Sequence, residues 1–204
     1  MNNFEIREDE NGIGKVLILK GSWSHEVSAY MRDHGISALR LTGSFGFKGH
    51  DLSFLPELVF LRSLELYCWE AKGIKVIESL PQLEVLGLQY KSTQKIDLSA
   101  FSKLRVALVT WSKGLSSLLE LTTLEKLNVQ NYPHSNLEPI SSMVGLKQLY
   151  LTSRKLEYLK GIEQLRSLEL LDLYNCPFLT SMAGTEQLPK LKTIEIEACN
   201  RVSA

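Results

Sequence analysis

Apolar residues recur along this chain with a fixed inner spacing and a nearly fixed outer one. The pattern L-x-x-L-x-L reads LRSLEL from Leu61, LEVLGL from Leu83, LEKLNV from Leu124, LKQLYL from Leu146, LELLDL from Leu168 and LKTIEI from Leu191. Weaker copies are ISALRL from Ile36 and LRVALV from Leu104. Successive starts differ by 25, 22, 21, 20, 22, 22 and 23 residues. Such a period marks a repeat array, in which each unit buries its apolar face only against its neighbours. Alternation within each copy predicts a short strand whose fourth and sixth residues share a face. Leu64/Leu66, Leu86/Leu88, Leu127/Val129, Leu149/Leu151, Leu171/Leu173 and Ile194/Ile196 are therefore expected to stack into one core. Each such residue contributes roughly 1.5–3 kcal/mol on burial.

Between strands the chain returns through short apolar pieces at 73–82, 137–145 and 156–164. These lengths suit turns or 3₁₀ segments better than α-helices. Strands inside and compact returns outside predict an α/β solenoid with a right-handed, curved parallel sheet. From Ile36 to Asn200 the chain resembles leucine-rich-repeat proteins, nearest to the short 22-residue internalin-type subclass, and LKGIEQLRSLELLDLYNC at 159–176 follows that subclass's consensus. The resemblance implies the fold and, for function, partner binding. One departure is the ninth repeat position, where the consensus has Asn or Cys. Here it holds Ser44, Trp69, Lys91, Ser112, Tyr132, Arg154, Cys176 and Cys199, so irregular middle turns are expected.

The ends differ. FEIRE and KVLIL around Asn11-Gly12 predict a hairpin. HEVSAYMRDH predicts a helix with Ser24 as N-cap, Val27, Tyr30 and Met31 on one face, and Gly35 as its stop. Residues 1–35 thus form an expected N-terminal cap, and 36–204 an array of about eight repeats. No comparable cap is apparent beyond Ile196, so that edge is expected either to fray or to pair with another molecule.

Charge and composition narrow the function. Lys+Arg and Asp+Glu are both 23, apolar residues make up 44%, and no dense basic run exists. Nucleic acid is therefore not an expected partner. Neither a signal core nor a span of ~20 apolar residues is found, so no membrane association is expected. The odd count of three cysteines argues against a disulfide framework and for a cytoplasmic location. The resemblance to internalins is not expected to extend to secretion, wall anchoring or an invasion role.

No catalytic residue, cofactor or metal ligand emerges. His25, His34, His50 and His134 have no metal-ligand spacing. Cys176 and Cys199 are expected to stack as thiols donating to carbonyls, and Cys68 to be structural. The glycine-rich GSFGFKG at 43–49 lacks the G-K-[ST] ending of a phosphate loop and is expected to be an enlarged turn.

The inner face of the sheet carries the partner expectation. Val85, Val106 and Leu108 are apolar where a solvated face would be polar, with Tyr67, Tyr90 and Trp111 beside them. Such a group has the composition of a binding hot spot. Towards the C-terminus Tyr150, Asp172, Tyr174 and Glu195, with Glu197, make the face acidic and aromatic. A one-residue slip of LRVALV would bury Val106 and Leu108 and turn Ala107 outward, but would also push Thr110 into the core; the unslipped register is expected. The function expected is a non-enzymatic scaffold binding another protein on this face, for instance an intracellular inhibitor or immunity protein. The alternative is an assembly protein that oligomerises through its C-terminal edge, although a monomer is expected.

Overall fold

The computed structural model describes residues 3–47, 51–91 and 94–202. The described residues within 1–104 and 112–114 form one compact unit, and those within 105–111 and 115–204 another.

In the first unit, β1 (Phe4–Glu8) and β2 (Lys15–Leu19) form the expected hairpin, with Glu8 opposite Lys15. The turn is longer than Asn11-Gly12 alone suggests. Asp9 closes it: its N–H donates to Gly14 O at 2.6 Å, and its Oδ2 accepts from Asn11 N and Ile13 N at 3.0 Å. Helix α1 (His25–Asp33) follows and buries Val27, Ser28 and Met31. Ser24 precedes it in extended conformation, but its side chain makes no capping bond. At the other end Gly35 takes φ +64°. Ile36 N–H reaches back to Met31 O at 2.8 Å. A left-handed residue followed by this backward bond closes the last turn as expected.

β2 then pairs in parallel with β3 (Ala38–Thr42), β3 with β4 (Ser63–Tyr67) and β4 with β5 (Val85–Gln89). Each pairing sets the fourth and sixth residues of successive repeats side by side, as in Leu39↔Leu64↔Leu86 and Leu41↔Leu66↔Leu88. All six are fully buried. The returns contain 3₁₀ turns at Leu55–Glu57 and Ile74–Ser79. Gly43–Phe45 is also 3₁₀, which makes the glycine-rich segment a turn; residues 48–50, including His50, lie outside the described residues.

The second unit repeats the plan with β6 (Val106–Thr110), β7 (Lys126–Gln130), β8 (Gln148–Thr152), β9 (Leu170–Tyr174) and β10 (Thr193–Glu197), parallel and in chain order. Ala107 pairs with Leu127 and Val109 with Val129, so the weak repeat takes the unslipped register. Its returns are 3₁₀ at Glu138–Ile140, Ile162–Gln164 and Thr185–Gln187. Core stacking holds through Leu171 and Leu173, which are fully buried, and then stops. Ile194 is 45% exposed and Ile196 42%.

The ladder positions explain the irregular turns. Asn131, Asn175 and Ala198, at the eighth position, adopt φ of 59°, 52° and 55°, which places the ninth residue inside the turn. There Cys176 Sγ approaches Leu151 O at 3.9 Å and Cys199 Sγ approaches Leu173 O at 3.4 Å, as two stacked thiols. Burial first, and then Cys199, push the Cys176 thiol up to about 12. In the repeat from Leu146 the eighth residue itself bonds the turn. Ser153 Oγ donates to Tyr132 O at 2.8 Å and accepts from Lys155 N and Leu156 N, leaving Arg154 exposed.

Candidate interaction surface

The inner face of the first unit is closed rather than open. Glu65 on β4 is only 2% exposed and accepts from Arg40 Nη2 on β3 at 2.8 Å and from the Tyr67 hydroxyl at 2.8 Å. Gly87 on β5 leaves room for this: a Cβ there would stand 2.6 Å from the Tyr67 Oη and 3.0 Å from Glu65 Cγ. The Tyr67 ring therefore lies across β5, and Val85, two residues before Gly87 on the same face, is fully buried. Burial first, then the Glu65 carboxylate, hold the Tyr67 phenol far above its ordinary range. Tyr90 is buried too. Its hydroxyl accepts from Ser112 Oγ at 3.2 Å and sits where a Cβ on Gly114 would come within 3.1 Å. So Val85, expected outward from alternation, and Tyr90, expected beside the face as the eighth residue of its repeat, present no surface, and Tyr67 is half-buried.

Among the apolar side chains that the first unit exposes is Trp69, at 48%. It lines a cleft of about 450 Å³ with Thr42, Phe47, Tyr67 and Gln89 among its walls. The sequence signal for it is a tryptophan at a position meant for a small turn residue.

In the second unit Val106 is buried, again contrary to expectation, and Leu108 and Trp111 are half-buried. Trp111 meets the His134 ring edge-on, with centroids 6.2 Å apart. The fifth positions line up across the strands as Leu108↔Asn128↔Tyr150↔Asp172↔Glu195. Along this row Lys126 Nζ lies 5.6 Å from the Tyr150 ring centroid. Tyr174, 49% exposed, stands beside Glu197 on the seventh positions. Tyr150, Asp172, Tyr174 and Glu195 are thus brought onto one face, half-buried to exposed.

The acidic groups on that face repel one another. Burial first, and then Glu195 and Glu197, raise the Asp172 carboxyl above its ordinary value; burial, then Asp172 and Glu195, raise the Tyr150 phenol. A carboxyl whose folded pKa lies above its unfolded one adds stability that is complete below the unfolded value and lost as pH rises through the folded one. Asp172→Asn should therefore stabilise the fold near neutral pH, by under about 1 kcal/mol given its exposure. The gain should vanish in acid, where both side chains are neutral, and thermal scans at the two pH values test this.

A second cleft, of about 550 Å³, opens beside Pro133, His134, Arg154, Lys155, Glu157 and Phe178, with the Arg201 guanidinium 5.0 Å from the Phe178 ring centroid. Among the described residues no group of three His, Cys, Asp or Glu could hold a metal ion, and no helix is long and apolar enough to cross a membrane.

Comparison with solved structures fits this geometry. Internalin C2 from Listeria monocytogenes matches 78% of this chain and 67% of its own, with a TM-score of 0.57 at 22% identity. A second internalin from that organism, inlF, matches 78% of this chain and 48% of its own, with a TM-score of 0.53 at 20% identity. This is the leucine-rich-repeat fold of the internalins. Among curated sequences, an adenylate cyclase of Schizosaccharomyces pombe is 29% identical over 189 residues, covering 74% of this chain. The matched region spans only 11% of that cyclase. No protein-family model matches the chain.

Proposed function

We propose that this leucine-rich-repeat chain is a non-catalytic protein-interaction scaffold that holds a partner on the inner face of its second unit. The observation that carries this is the row Tyr150, Asp172 and Glu195, flanked by Tyr174 and Glu197. Tyrosines supply rigid amphipathic contact area, and clustered carboxylates give up their mutual repulsion when a basic surface covers them. The partner is therefore a protein presenting Lys and Arg. The inner face of the first unit, sealed by Tyr67 and Glu65, keeps its shape and offers Trp69 at its flank. An intracellular inhibitor of a basic enzyme is one form of this role, and three buried free thiols accord with a reducing cytoplasm.

A photo-crosslinking residue placed at Tyr150 or Tyr174 should capture the bound protein from its native extract, whereas one at the exposed Val144, in a return segment, should not. Capture from Val144 alone would sink the proposal.

A further inference from the structure

Three successive turns of the second unit frame the cleft of about 550 Å³: residues 133–135 after β7, 154–157 after β8, and Phe178 after β9. That volume lies within the range of ~300–1,000 Å³ typical of clefts that hold a discrete ligand. Backbone bonds tie the turns together. Glu157 N–H and Tyr158 N–H donate to Ser135 O at 2.8 and 3.1 Å, and Thr180 N–H donates to Glu157 O at 3.1 Å. The His134 ring is wedged against Trp111 and Tyr132, with centroids 6.2 and 5.4 Å away. Walls fixed in this way leave little to order when something binds.

The charge at the cleft is unbalanced. Arg154 holds the ninth repeat position, where Tyr132 one repeat earlier and Cys176 one repeat later are buried. Because Ser153 Oγ already makes the turn bonds, the arginine is exposed beside Lys155. In the returns of this unit lysines meet glutamates one repeat away: Lys147 with Glu125 at 3.2 Å, Lys160 with Glu138 at 2.7 Å and Lys192 with Glu169 at 2.8 Å. Among the described residues Arg154, Lys155 and Arg201 have no such carboxylate, and Glu157, in the wall of the same cleft, pairs with none of them. Three cations thus stand against one carboxylate. Between them lies Phe178, 42% exposed, with the Arg201 guanidinium over its ring.

We propose that this cleft binds an acidic segment of another protein in which carboxylates flank one aliphatic side chain. The Arg154 fork and Lys155 receive the carboxylates, and the aliphatic side chain lies against Phe178 and Pro133. Separate carboxylates fit better than one phosphate, because Glu157 repels a dianion more strongly than a single charge. A nucleic acid or an anionic membrane is repelled besides by Asp172, Glu195 and Glu197, which the same unit carries. The occupant is opposite in sign to the basic surface proposed for the inner face, and this inference does not rest on that reading.

Its test is fluorescence anisotropy on the full chain with a peptide of about eight residues, a leucine flanked by glutamates. Matched peptides carry lysine for glutamate, alanine for the leucine, or one phosphoserine in place of the glutamates. The glutamate peptide should bind at least about tenfold more tightly than the lysine peptide and about fivefold more tightly than the alanine one. Arg154→Glu with Lys155→Glu, both exposed, should reverse the preference in favour of the lysine peptide. Phe178→Ala should bring the leucine peptide down to the affinity of the alanine one. Tyr150→Ala with Tyr174→Ala should leave peptide affinity unchanged, which separates the cleft from the inner face. Lys75→Glu with Lys190→Glu makes the same change in net charge at exposed positions outside the cleft and should leave binding intact. Equal loss in that control would reduce the effect to bulk electrostatics and overturn the inference. Tighter binding of the phosphoserine peptide would overturn it in favour of a phosphate ligand. Cosedimentation with phosphatidylserine vesicles, removed by Arg154→Glu with Lys155→Glu, would overturn it in favour of a membrane.

Discussion

Glu65→Ala should lower the unfolding free energy by about 3 kcal/mol, more than most single changes at a polar position. Three losses combine. The Arg40 guanidinium, itself mostly buried, is left without its carboxylate, and its Nε already has no hydrogen-bond partner among the described residues. The Tyr67 hydroxyl loses its acceptor. The Tyr67 ring, held by that bond, then has less reason to lie across Gly87. A buried ion pair is costly to break but not always costly to replace, because both charges were desolvated to form it. Arg40→Met combined with Glu65→Leu should therefore recover to within about 1 kcal/mol of the parent. Urea titration of the single and double variants measures both, and a double variant as weak as Glu65→Ala would show that the pair itself, not relief of a stranded charge, governs stability.

That cluster also marks where sequence stops being informative. The spacing of Leu83, Leu86 and Leu88 suffices to place β5 and its core face. Nothing in LEVLGL says that Val85 is fully buried, nor that Tyr67, a repeat earlier, reaches over the gap left by Gly87. Alternation alone puts Val85 and Val106 on the surface, since it assigns a face but not what lies on it. The same limit applies in reverse at Ile194 and Ile196. Their period assigns them inward, yet they are half exposed, because period assigns a face and not what packs on it. Turn chemistry is partly legible: asparagine at 131 and 175 signals left-handed backbone, whereas Ala198 does not, and Ser153 takes over the ladder one position early. The acidic, tyrosine-bearing row at Tyr150, Asp172 and Glu195 can be read directly, since it needs only register and alternation.

Gly161→Ala should be the other severe change, costing about 3–4 kcal/mol. Gly161 has φ +101°, a region L-residues rarely occupy, and the space is also taken. A Cβ there would stand 2.6 Å from Glu138 N and 2.7 Å from Leu137 C, backbone atoms of the preceding return. Those atoms cannot retreat without breaking the bond from Leu137 N–H to Lys160 O, at 2.8 Å, that ties the two returns together. Gly73 isolates the conformational part of the cost. It has φ +69° and nothing within 4 Å of the added atom. Gly73→Ala should therefore cost only about 1–2 kcal/mol, the penalty of the left-handed region itself. Hydrogen exchange distinguishes the two mechanisms residue by residue. In Gly161→Ala the Leu137 amide should lose protection by at least about a hundredfold, following the loss of stability. In Gly73→Ala that amide, in the other unit, should exchange at the parent rate. Equal costs for the two substitutions would mean that backbone conformation alone sets the penalty and that the close packing of successive returns contributes nothing to holding the repeats in register.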